Sequence, residues 1–216
     1  MTDVRSLVLV VGCACAVAAQ ATPVAVVNGG FEADWTGESS SHGDCCVWFV
    51  YEPSGPALGW DFGFKTGVAW YFNQPPTLAP YESGRFAFLQ NSTQPLSQTF
   101  TLATAADVTA SFAAALRPGY QPGQVVQVEV DGTAVGQANV GAGWAVHGVR
   151  LGQLGAGDHT LSFRGISGFD AFGDTTAFLD AVTLDAQLVA VPEPGRLSLM
   201  LAGLGLMAVG LRWRRC

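Results

Sequence analysis

Three histidines (His42, His147 and His159) and five cysteines carry the most reactive side chains of this 216-residue chain. Their spacing arms no familiar chemistry. Covalent catalysis needs a nucleophile within reach of its base, and the sequence holds no Gly-x-Ser-x-Gly, no His-Glu-x-x-His and no Gly-rich phosphate loop. Asp170 and Asp174 could act with Glu32 as a glycosidase pair only if folding set two carboxyls roughly 5–10 Å apart across a sugar bond. In Gly168-Phe-Asp-Ala-Phe-Gly-Asp-Thr175 they read first as a Gly/Asp turn, so no catalytic residue is assigned. Cys45 and Cys46 follow His42-Gly-Asp44. In an exported chain, adjacent cysteines can close a strained vicinal disulfide, pair with another chain or stay as thiols. One histidine and two thiols without a second ligand pair do not make a zinc site.

Recognition chemistry is better supplied. Trp35, Trp48, Phe49, Tyr51, Trp60, Phe62, Phe64, Trp70, Tyr71 and Phe72 all fall within residues 34–78, among many Gly and Pro. A domain of this size cannot easily bury so many rings in one place. Flat aromatic faces lie well against the apolar faces of sugar rings, with polar neighbours fixing orientation. The candidate ligand-binding residues are Trp48, Trp60, Trp70, Tyr120 and Trp144 as stacking rings, with Arg117 meeting hydroxyls. The competing expectation is that these rings pack beneath long loops.

The elements that must position them are strands. Gly is counted 27 times against a single Lys, and Thr, Ser, Val and Phe are frequent, a composition of short strands and tight turns. Segments 85–90, 96–102, 108–116, 144–151 and 159–164 alternate or nearly alternate, and 126–135 folds about Asp131-Gly132, the strongest hairpin signal in the chain. Between residues 22 and 190 there are 15 acids and 5 bases, a net charge of −10. Nucleic acid is excluded as a partner, because displacing counterions from phosphates needs Lys and Arg.

Both ends read as addresses. Residues 1–21 form a secretory signal peptide, with Arg5, an apolar stretch over 7–19 and Ala19-Gln20-Ala21 as the cleavage site; a first membrane helix is the alternative, and either implies export. The end of the chain runs Val191-Pro192-Glu193-Pro194, then an uncharged stretch over 197–211, then Arg212, Arg214 and Arg215 around Trp213. As a transmembrane helix those 15 residues reach about 22 Å at roughly 1.5 Å each, short of a ~30 Å hydrocarbon core. Flanking Arg and Trp make up part of the deficit, and the basic end stays cytoplasmic.

In that order, the Pro-Glu-Pro, the apolar run and the basic end resemble the PEP-CTERM sorting signal. The resemblance implies an exosortase-type enzyme as partner, processing near residues 191–194, a transient stage in the inner membrane and delivery to the cell surface or extracellular matrix. Between the ends, Asn28-Gly-x-Phe-Glu32 and the segment Ala177-Phe-Leu-Asp-Ala-Val-Thr-Leu184 resemble the first and closing strands of galactose-binding-like jelly rolls found in carbohydrate-binding modules. That likeness implies a structural calcium ion shared by Glu32 and Asp180, and extracellular polysaccharide as ligand. The expected layout is a signal peptide (1–21), an all-β two-sheet jelly-roll sandwich of about nine or ten strands (22–190) and a sorting tail (191–216). The expected function is non-catalytic glycan binding outside the cell. The alternatives are a structural matrix protein that self-associates through Cys45 and Cys46 and, third, a glycoside hydrolase-like enzyme.

Overall fold

The structure, a computed structural model, describes residues 21–43, 47–71, 78–90, 94–118, 124–166 and 175–188. The signal peptide except Ala21, the sorting motif Val191–Pro194, the span over 197–211, the basic end, Cys45, Cys46, Tyr120, Asp170 and Asp174 lie outside them. Every regular element described is a strand: β1 (Ala21–Val24), β2 (Ser40–Gly43), β3 (Val47–Tyr51), β4 (Asp61–Phe62), β5 (Thr66–Tyr71), β6 (Phe86–Gln90), β7 (Leu96–Leu102), β8 (Ala106–Leu116), β9 (Val125–Val130), β10 (Thr133–Asn139), β11 (Ala145–Leu154), β12 (Gly157–Gly165) and β13 (Thr176–Leu188). Ten of them have five residues or more, in keeping with the nine or ten expected. The short β1, β2 and β4 are too brief to show a period.

All pairings are antiparallel and form two sheets. The larger runs β11-β8-β13-β6-β5-β3-β2 with β1 beside β13, and the smaller runs β10-β9-β12-β7-β4. This is the jelly-roll sandwich. Its core lies where inward residues of both sheets meet: Leu96, Phe100 and Leu102 of β7, Val126 and Val128 of β9, Phe163 of β12, Phe112 of β8 and Leu179 and Leu184 of β13. Each such side chain contributes about 1.5–3 kcal/mol by leaving water.

The two sheets differ in their outer faces. Outward residues of β7 and β12 are Ser97, Thr99 and Thr101 opposite Ser162, Thr160 and Asp158, with Arg164 beyond, so the outer face of the smaller sheet is polar. The larger sheet instead carries a second apolar cluster outside the sandwich, made of Ala69, Phe86, Phe88 and Phe178. Because β6 is therefore buried on both faces, its sequence Phe-Ala-Phe-Leu shows no polar alternation. Gly67 of β5 allows the close approach this needs, since a Cβ there would land on the Val50 carbonyl and 2.6 Å from the Phe88 ring.

The long β13 ties the parts together. Its first residues pair with β6, a bulge falls between Asp180 and Thr183, and its last residues pair with β1, while β8 runs along its other side. At the far margin, the expected hairpin turn is present, with Asp131 and Gly132 at φ 51° and 76°. The Asp131 carboxylate accepts the Thr160 N–H at 2.8 Å and meets His159 Nδ1 at 2.8 Å. The hydrogen bond to Asp131 raises the His159 pKa, and the same bond, with the Thr160 N–H, lowers that of Asp131. The histidine's contribution is complete below the ordinary imidazole range and is lost as pH climbs through its raised value. That of the aspartate is present above the ordinary carboxylate range and is lost as pH falls through its lowered value. In thermal melts, the stability difference between wild type and His159→Phe is expected to peak near pH 5–6 and shrink on both sides, with a charge-dependent part under about 1 kcal/mol for so exposed a pair.

Candidate functional site

On a strand, alternate residues share a face, and the outer face of the larger sheet brings together Phe49 and Tyr51 from β3, Ala69 from β5, Phe88 and Gln90 from β6 and Thr176 and Phe178 from β13. With Arg117, just past the end of β8, they line a shallow cleft with a free volume of about 30 Å³. That is room for about one water, so a larger ligand lies across this surface and is not enclosed by it. Three rings stand edge to face: Tyr51 and Phe88 at 5.1 Å, Phe49 and Tyr51 at 5.5 Å, Phe49 and Phe88 at 6.0 Å. The Tyr51 hydroxyl donates to Gln90 Oε1 at 2.6 Å, and the Arg117 N–H donates to the Thr176 carbonyl. Aromatic walls with an amide, two hydroxyls and a guanidinium at the rim suit a ligand that is part apolar and part hydroxylated.

The aromatic surface continues away from the cleft. Phe86 and Phe178 are 4.6 Å apart, Trp144 lies 5.8 Å from Phe86, and Tyr81, 45% exposed, lies 6.1 Å from Trp144. The indole N–H of Trp144 donates to the Ala79 carbonyl at 2.6 Å. The segment 78–85 thus lies over this face, and two carboxylates hold it there. Glu32 Oε1 accepts the N–H groups of Gly84 and Arg85, both at 2.8 Å, while Asp180 Oδ2 accepts that of Glu82 at 2.9 Å. Arg85 completes the joint by donating to the carbonyls of Glu32 and Ala33 and to Asp34 Oδ1.

Glu32, Glu82 and Asp180 gather around Gly30. A Cβ on that glycine would lie 3.7 Å from Glu82 Oε2 and 3.8 Å from Asp180 Oδ1, with Glu32 Cγ at 4.0 Å. Each carboxylate also has a residue beside it in the left-handed backbone region: Phe31 at φ 59°, Ser83 at 49° and Ala181 at 51°. Strain of this kind costs on the order of 1–3 kcal/mol per residue and persists where the surroundings impose it. Asp180 is wholly buried. Burial pushes its pKa up to about 6 against the pull of its backbone donors, and the charge of Glu82 adds to the rise. Among the described residues, no three His, Cys, Asp or Glu groups are arranged to hold a metal ion.

The candidates named from sequence are dispersed. Arg117 lines the cleft and Trp144 flanks it. Trp60 does not belong to any ligand surface: it is 5% exposed, its ring lies 5.3 Å from Phe31, and its N–H donates to the Asn28 carbonyl inside the core. Trp48 and Trp70 face one another across β3 and β5, on the side of those strands opposite the cleft. Glu32 and Asp180 do come to one place. Sequence reasoning missed Phe49, Tyr51, Phe88, Gln90 and Phe178; the signal available was Phe86-Ala-Phe-Leu-Gln90, whose alternate aromatics mark a second apolar face.

With this geometry in view, the comparisons take their place. Residues 190–215 match the family model described as PEP-CTERM protein-sorting motif. The tail carries a PEP-CTERM sorting motif. Among curated proteins none matches the chain in sequence. Solved structures that resemble it include the CBM22-1 xylan-binding domain of Paenibacillus barcinonensis Xyn10C (14% identity, 63% of this chain and 91% of that one, TM-score 0.44). Another is TmCBM61 in complex with beta-1,4-galactotriose (16%, 76% and 98%, TM-score 0.43). A third is the carbohydrate-binding module CBM36 in complex with calcium and xylotriose (16%, 47% and 79%, TM-score 0.34).

Asp180→Ala is expected to lower stability by about 2–3 kcal/mol in calcium-free denaturant titrations, because it takes the acceptor from the part-buried Glu82 and Ala181 N–H groups. Asp180→Asn keeps one acceptor but sets its NH2 against the other N–H, so it should lose about 1–2 kcal/mol in the same titrations, less than Asp180→Ala.

Proposed function

We propose that this chain is an exported, exosortase-sorted protein that binds neutral polysaccharide outside the cell without acting on it. The observation that carries this reading is the aromatic cleft on the outer face of the larger sheet, with the Tyr51 hydroxyl, Gln90, Thr176 and Arg117 among its lining. Rings of this kind stack on sugar faces while the polar groups meet ring hydroxyls. The charge of −10 over residues 22–190 favours neutral over acidic polymers. The sorting signal at residues 190–215 supports passage through the inner membrane under an exosortase-type enzyme, and then a place at the surface or in the matrix. Cys45 and Cys46 lie outside the described residues and carry no part of this reading.

The cleft is tested by native gels containing hydroxyethylcellulose, galactan or dextran, run on the full chain in a detergent without sugar headgroups. Wild type should be retarded by at least one polymer, and Tyr51→Ala with Arg117→Ala should weaken the retardation several-fold. Migration indifferent to all three polymers in wild type would sink the reading.

A structural calcium ion belongs to the same proposal. What supports it is that Glu32 and Asp180 come together beside Gly30 and that carboxylate oxygens are the ligands a hard cation takes, though the described residues offer it no cluster of three such groups. Glu32 and Asp180 would hold it, with Glu82 beside them. Its contribution would be to order the segment 78–85 and not to do chemistry. Calcium at about 100 times its dissociation constant should stabilise the chain by about 2.7 kcal/mol, read as a rise of a few degrees in Tm that magnesium does not reproduce and Glu32→Gln abolishes. An unchanged Tm in millimolar calcium would remove the ion from the proposal.

A further inference from the structure

Strand β3 carries aromatic side chains on both faces. Phe49 and Tyr51 point outward into the cleft, while Trp48 and Val50 point the other way. Val50 is buried in the core, yet Trp48, two positions along, is 43% exposed. The reason is the unequal width of the sheets. The smaller sheet ends at the two-residue β4, whereas the larger continues through β3 to β2, so the inner face of β3 projects beyond its cover.

Trp48 does not stand alone there. Its cross-strand partner is Trp70, whose ring lies 5.6 Å from Trp35. The Arg85 guanidinium sits 5.0 Å from the Trp35 ring, and the Trp35 N–H donates to Glu38 Oε2 at 2.9 Å. Trp48 and Trp70 paired across β3 and β5, Trp35 against Trp70, and Arg85, Glu38 and the exposed Asp34 around Trp35 repeat the composition of the cleft: flat rings with polar groups beside them. Trp35 and Trp70 pack partly against the core, and Trp48 at the end of the row keeps 43% of its surface exposed.

We propose that the indole row is a second polysaccharide-stacking surface, so that one chain bridges two polymer strands through opposite faces of β3. The inference rests on the glycan reading of the cleft and extends it. The two surfaces look away from each other across one sheet, and each takes a separate strand of polymer. The protein is then a cross-link in a neutral matrix as well as a passenger on it.

The test is a two-step capture. Hydroxyethylcellulose, galactan and dextran are each coated on a surface, full-length chain is loaded in the same detergent, and fluorescent polymer of the same kind is added after washing. Light scattering establishes that the loaded chain is monomeric, and the second capture is expressed per bound chain. Wild type is expected to capture the second polymer. Trp48→Ala should load through the cleft but lose at least about tenfold of the second capture, with Trp48→Phe restoring much of it. Tyr51→Ala with Arg117→Ala should load through the indoles and show the same loss. Second capture by Trp48→Ala within twofold of wild type would overturn the bridging. So would a dimer that Trp48→Ala dissolves, since that assigns the indoles to a contact between copies. A blank first layer on all three polymers would instead remove the glycan reading itself.

Discussion

A carboxylate with no solvent exposure, set in the middle of a thirteen-residue strand, must be given donors or the fold will not tolerate it. Asp180 meets that demand with the backbone. The bulge that follows it turns Ala181 into the left-handed region and brings its N–H to Asp180 Oδ1, and segment 78–85 delivers the Glu82 N–H from across the sheet. Glu32 repeats the arrangement with Gly84 and Arg85. Because the same segment offers its Ala79 carbonyl to Trp144 and its Tyr81 ring to the indole, satisfying one buried charge also arranges the aromatic surface beside the cleft. The local backbone strain is held by these joints.

How the chain distributes its rings follows from the unequal sheets. Outward residues of β7 and β12 are polar, as those of a water-facing antiparallel sheet should be. The larger sheet departs from that rule along β6, β13, β5 and β3, where Phe86, Phe88, Phe178, Phe49 and Tyr51 face outward. A sandwich needs only one apolar face per sheet to close its core. A second such face serves contact with something else or is covered by the chain itself, and here segment 78–85 with Trp144 covers one part while the cleft stays open at the other.

Much of this was legible in the sequence, for identifiable reasons. Strand class, the Asp131-Gly132 hairpin and the meeting of Glu32 with Asp180 rest on local chemistry or on motifs that survive without neighbours. The tail was legible because its three parts occur in fixed order. The site was not, because its residues lie on strands that are apolar on both faces. Val47-Trp-Phe-Val-Tyr51 has no polar positions to set its phase, so the sequence could not say whether Trp48 or Phe49 faced the core. Trp60 looked like its neighbours Trp48 and Trp70 for the same reason. Only the partner strands decide that it fills the space between Phe31 and Phe163.

The course of β13 sets how far the cleft lies from the sorting motif along the chain. Thr176 and Phe178 line the cleft at its start, and Leu188 ends it two residues short of the sorting motif at 190–215. At roughly 3.3 Å per residue the two ends are about 40 Å apart, more than the thickness of a bilayer's hydrocarbon core. The cleft lining and the start of the motif are thus separated by the length of one strand. A cut beyond Leu188 would remove the motif without touching a residue of that surface, so the lining of the cleft owes nothing to the tail.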